Sequence, residues 1–216
     1  MSLLFGIGIY AQFAFLPGFV QTPKSTGYGL GASITESGLI LLPQSATVFL
    51  TGRGSGRLAA RIGGKAVVVL GALISTGAMT MLAFAHSHTW ELYVATAVMG
   101  AGFGLAFPAM SSLIVKAVPP EQTGVASGMN ANIRTIGGSV GAALMASVVT
   151  ASPAADGLPR EAGYTNGFTM LSGALLIAAV AGLLIPVGRR SSRVEYVQES
   201  QESHPFRTTP ATRPGP

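Results

Sequence analysis

Six stretches of this chain, at 1–21, 34–52, 66–85, 92–115, 123–150 and 162–188, run for about twenty residues or more with almost no charge. At about 1.5 Å per residue, each can cross a hydrocarbon layer of about 30 Å as a helix, which satisfies its own backbone groups where water is absent. The exceptions inside them are Glu36, near an end, and Arg134, well within the fifth. Charged residues make up only 10% of the chain, against about 25% in an ordinary soluble domain. The fold class expected is an all-α membrane protein with a six-span domain at 1–188. Segment 189–216, rich in Ser, Glu, Gln, Arg and Pro without apolar periodicity, reads as a disordered cytoplasmic tail. The first stretch reads as a span and not a signal peptide, because no basic residue precedes it and no small-residue cleavage site closes it.

The net charge of +5 would suit nucleic acid only if its basic residues shared a folded surface. Instead Arg53, Arg57, Arg61, Lys65, Lys116, Arg189, Arg190, Arg193, Arg207 and Arg213 fall on one side of the six spans, with only Lys24 and Arg160 on the other. That bias places both termini in the cytoplasm and excludes nucleic acid as a partner.

Catalytic and metal chemistry find little support. The chain has no cysteine. Gly137, Ser139 and Gly141 have the spacing of a nucleophile elbow, but Ser139 lies in an apolar span without a His partner, so an enzyme is not expected. His86, His88 and Glu91 are too few for a convincing metal site, and no cofactor is expected. Glycines four apart, Gly52 and Gly56, Gly100 and Gly104, Gly124 and Gly128, Gly137 and Gly141, predict close helix packing. Pro17, Pro43 and Pro108 predict kinks inside their helices.

The sharpest pattern lies between the second and third stretches. Gly56, Leu58, Ala59, Arg61, Ile62, Gly63 and Lys65 form a Gly-x-Leu-Ala-x-Arg-x-Gly-x-Lys run, whose glycines permit a tight turn and whose cations suit lipid headgroups. The run resembles the loop motif of the major facilitator superfamily, usually Gly-x-Leu-x-Asp-Arg-x-Gly-Arg-Lys. Ala60 stands where that family has Asp, and Gly64 where it often has a second basic residue. Phe15, Leu16, Pro17 and Gln21, the segments 38–43 and 100–108, and segment 124–141 with Asn132, Arg134, Gly137 and Gly138 are similar to the fourteen-span drug:proton antiporters of that superfamily.

The resemblance implies the C-terminal six-helix half of such an antiporter, built as a 3+3 inverted repeat in the cell membrane. It implies multidrug efflux by alternating access, with the lipid bilayer, a small amphipathic or cationic substrate and protons as partners, completed by a missing N-terminal half or a second copy. The first, second, fourth and fifth helices would line the substrate cavity, making Gln12, Phe13, Gln44, Met99, Phe103, Phe107, Asn130 and Arg134 its candidate residues. No Asp lies in any span to carry a proton, and Arg134 falls about 16 Å along its helix. A second reading is a non-transporting scaffold that binds partner helices through its glycine faces.

Overall fold

The computed structural model describes residues 1–86, 88–151, 153 and 157–184. Six helices follow in order: α1 (Ser2–Gln21), α2 (Ile34–Ile62), α3 (Gly64–Phe84), α4 (Thr89–Ala117), α5 (Thr123–Thr150) and α6 (Glu161–Leu184). Short 3-10 turns at Lys24–Thr26 and Pro120–Gln122 precede α2 and α5. The expected tail at 189–216 lies outside the described residues. Five of the helices, all but α2, are long and apolar enough to cross a membrane. At 29 residues α2 has the length, but it carries Glu36, Gln44 and three arginines.

The boundary that differs most from expectation is the end of α2. The apolar stretch stops at Gly52, yet the helix continues to Ile62, taking Gly56, Leu58 and Arg61 with it. Loss of apolarity does not end a helix when Arg, Leu and Ala continue it, and Ser55 ties this part to α4 by donating to the Leu105 carbonyl at 2.8 Å. Gly56 therefore makes no turn; the turn is the single residue Gly63, at φ 90°, whose N–H bonds the Ala59 carbonyl. Only glycine takes that conformation without strain. At the other end of α2, Ser33 and Glu36 form a capping box: the Ser33 N–H donates to Glu36 Oε2 at 2.7 Å, and the Glu36 N–H to Ser33 Oγ at 3.2 Å. Glu36 is thus a helix cap.

Hydrogen bonds give the packing register. Thr47, Thr51 and Ser55 of α2 donate to the carbonyls of Ala97, Ala101 and Leu105 of α4, always fifty residues on, so the two helices run parallel. Thr96 donates back to the Ile40 carbonyl at 2.8 Å. Such ladders need close backbones. A Cβ on Gly100 would lie 2.3 Å from the Gln44 oxygen, and one on Gly104 would lie 2.6 Å from the Val48 oxygen.

The α1–α5 pair repeats this arrangement, with Gly137 against the Leu3 carbonyl and Gly141 against that of Ile7. Advancing each helix number by three turns the α2–α4 pair into α5–α1, as a 3+3 inverted repeat requires. Gly124 and Gly128 depart from expectation: a Cβ on either would meet nothing within 4 Å. They occupy the first turns of α5, before it meets α1.

At the back, α3 runs antiparallel to α6, where Thr80 and Ser172 hydroxyls meet at 2.7 Å, and to α4, where Gly71 faces Gly102. The flanks are α2 and α5. Their buried residues are few, Ser37, Ile40, Gln44 and Ser55 in α2, and Gly137, Gly138, Gly141, Met145 and Val149 in α5. The face opposite α3 and α6 is thus made by α1, α2, α4 and α5.

Candidate functional site

The residues expected to line a cavity separate into two groups. Four are core. Gln12 and Gln44 are 0% and 2% exposed, and they bond each other reciprocally, Gln12 Nε2 to Gln44 Oε1 at 2.8 Å and Gln44 Nε2 to Gln12 Oε1 at 3.2 Å. Two primary amides placed this way satisfy each other where lone ones would incur a desolvation penalty. Met99 and Phe103 are fully buried, so the stripe on α4 packs inside the bundle over most of its length. A cavity in front of this bundle would not touch these four side chains as they stand.

The other four remain accessible. Phe13 is 42% exposed, one residue from the buried Gln12 and so on a different side of α1. Phe107, Asn130 and Arg134 are half-buried, and Phe107 meets both Arg134 and Phe5, a residue the sequence did not single out. Phe103 and Phe107 lie one turn apart on α4 with parallel rings, centroids 5.4 Å apart, and Phe5 meets both edge-on at 6.1 and 5.9 Å. The Arg134 guanidinium carbon sits 4.8 Å from the Phe107 ring centroid, within cation–π range. Arg134 therefore reaches from α5 across α1 to α4. Its backbone is pinned, since its own carbonyl fills the space where Gly6 would carry a Cβ. One turn earlier on the same side, the Asn130 amide oxygen accepts from the Ser2 hydroxyl. Phe5 carried no sequence signal because an apolar residue in an apolar helix does not announce which neighbour it meets, and Ser2 none because a lone hydroxyl in a helix can bond its own backbone.

At the opposite end, a second polar and aromatic cluster joins three connections. His86 is 7% exposed; its Nδ1 lies 3.0 Å from the Leu82 carbonyl and its Nε2 3.0 Å from Glu161 Oε1. Phe19 packs edge-on against His86 and Tyr164, each at 5.1 Å, and stacks on Tyr28, whose hydroxyl donates to the Pro159 carbonyl. His86 is therefore a buried tie between these connections. No group of three or more His, Asp or Glu able to hold a metal occurs among the described residues.

The sequence profile of the Major Facilitator Superfamily matches residues 1–213. The chain belongs to that family. As a major facilitator protein it is similar to the multidrug transporter protein MdtP of Bacillus subtilis, at 26% identity over 75% of this chain and 31% of that protein. It is similar to a tetracycline resistance determinant of Streptomyces rimosus, at 29% identity over 70% of this chain and 43% of the relative. It is also similar to the multidrug resistance protein Stp of Mycobacterium tuberculosis, at 30% identity over 66% of this chain and 26% of that one.

The chain thus spans less than half the length of these relatives. The fold overlays the crystal structure of the nucleoside transporter NupG at a TM-score of 0.69 and 17% identity, covering 84% of this chain and 46% of that one. A peptide transporter structure matches at a TM-score of 0.61 and 19% identity, covering 94% of this chain and 42% of that one. This major facilitator chain is therefore a multi-pass membrane protein with the fold of one half of such transporters.

Proposed function

We propose that this chain is the C-terminal half of a fourteen-span drug:proton antiporter, and that it exports small amphipathic molecules by alternating access once apposed to a companion half or a second copy. The observation that carries this reading is the match of one six-helix bundle to under half of each solved transporter, with α2 and α5 left largely uncovered on the flanks. Two bundles rocking about a shared midplane site is the working principle of such proteins. The substrate surface is the α1, α2, α4 and α5 face, with Phe13, Phe107, Asn130 and Arg134 as its accessible members. Both termini are placed in the cytoplasm of a plasma-membrane protein, following the positive-inside bias. The carboxylates on these helices, Glu36, Glu91 and Glu161, sit in first turns at helix ends, so coupling is assigned to the companion half.

The scaffold reading gains little support, because Gly100, Gly104, Gly137 and Gly141 are occupied inside the bundle and only Gly124 and Gly128 of the α4 and α5 pairs stand open. Proteoliposomes holding the chain, alone and with an N-terminal half, test the proposal through pH-gradient-driven movement of fluorescent amphiphiles. Movement is expected only where two bundles face each other. Absence of movement in both arrangements, with folded protein, refutes it.

A further inference from the structure

Arg134 is the twelfth residue of a 28-residue helix, whereas the other charges on the described helices lie in a first turn or in the last three turns. A charge this far inside a span is retained only where it faces protein or water and has a partner. Among the described residues, no carboxylate pairs with it; Glu161 and Glu91 lie instead against His86 and His88, at the other end of the bundle. What holds the guanidinium is the Phe107 ring at 4.8 Å, and a ring face is a weak substitute for an anion.

The surroundings are donors. Arg134 brings five N–H groups in a planar fork. Asn130, four residues earlier on the same side of α5, has its amide oxygen taken by the Ser2 hydroxyl, leaving its NH2 to donate. The Phe5, Phe103 and Phe107 rings form an apolar wall beside these groups, of which Phe107 is accessible. A cationic ligand would meet like charge here, and its own cation–π partner is already covered by Arg134.

We propose that the surface formed by Phe107, Asn130 and Arg134 binds the anionic group of an amphipathic aromatic molecule, with the carboxylate held by the Arg134 fork and the ring against Phe107. This rests on the reading of the α1, α2, α4 and α5 face as the substrate surface, and it narrows the substrate to organic anions. The Arg134 fork matches a carboxylate with two parallel hydrogen bonds, which a lysine at the same position would not do.

The test uses the full chain in nanodiscs of phosphatidylcholine, which carry no anionic lipid to compete. Three radiolabelled probes share one ring system: 1-naphthoate, 1-naphthamide and (1-naphthylmethyl)trimethylammonium. Equilibrium dialysis is expected to give naphthoate an affinity about tenfold above the other two, the scale of one charge-assisted contact. Arg134→Gln should bring naphthoate down to the level of naphthamide, with an unchanged helical circular dichroism spectrum reporting that the variant is folded. Arg134→Lys should retain part of the preference, and Asn130→Ala should reduce naphthoate binding about threefold.

If the ammonium probe binds as tightly as naphthoate, or if Arg134→Gln keeps the preference, the anion site is wrong and the transporter reading stands. If none of the three probes binds the wild-type chain, the anion site is wrong, and the transporter reading stands or falls on the proteoliposome measurement.

Discussion

Replacing Gly100 by alanine puts a methyl group where α2 and α4 have no room for it. Its Cβ would lie 2.2 Å from Thr47 Oγ1 and 2.3 Å from the Gln44 oxygen, whereas ordinary contact begins at 3.4 Å. The helices must part by about 1 Å, which stretches the 2.8 Å bonds from Thr47 to Ala97 and from Ser55 to Leu105 out of hydrogen-bond range. At about 0.6 kcal/mol for each interhelical bond in a membrane protein, the ladder accounts for roughly 2 kcal/mol, and the loosened packing adds about 1 kcal/mol more.

Alanine returns up to about 1 kcal/mol through helix propensity. Gly128→Ala, past the first turn of α5, receives that same gain with nothing opposing it, because a Cβ there meets open space. The contrast between the two variants is therefore about 3 kcal/mol, or roughly 6–12 °C in midpoint for a domain of this size. Thermal unfolding in detergent, followed by the fluorescence of the single tryptophan, Trp90, measures it. Equal midpoints for the two variants, or a more stable Gly100→Ala, would refute the close α2–α4 contact.

Other expectations follow from the same packing. Gln12→Leu leaves the Gln44 amide buried without its partner and should destabilise by about 1–3 kcal/mol; adding Gln44→Leu should recover part of this, and a double-mutant cycle showing no coupling would separate the two amides. The Thr80 and Ser172 hydroxyls lie 2.7 Å apart in a chain free of cysteine, so Thr80→Cys with Ser172→Cys should close an oxidative crosslink seen as a mobility shift on denaturing gels. Failure to form it would overturn the α3–α6 pairing. Arg61 and His88 are exposed at opposite ends of the bundle, so single cysteines there should react with membrane-impermeant maleimide from opposite sides. Labelling of both from one side would remove the topology.

Much of the helix count was legible because a span is a local property: about twenty apolar residues identify it wherever its neighbours are. The end of α2 was not legible by that criterion, since apolarity marks where lipid ends and not where the backbone hydrogen bonds end. Glycine spacing likewise indicated small faces without indicating which ones are used. Gly137 and Gly141 meet α1, while Gly124 and Gly128, with the same spacing on the same helix, meet nothing. Among the candidate site residues, the sequence could name Gln12 and Gln44 as polar groups in apolar helices. Only the fold brought them within 2.8 Å of each other and so turned two cavity candidates into one internal tie.

By itself the sequence determined a low-charge chain of helical spans, the fold family through its loop run, and the isolation of Arg134 from any acid on its own helix. The tertiary structure decided which helices pair, which glycines close those pairs, and that Arg134 rests on Phe107. The physical reason is range. Hydropathy and helix propensity act within one segment and can be summed along the chain, whereas the neighbours of a side chain inside a bundle are set by six helices packing at once.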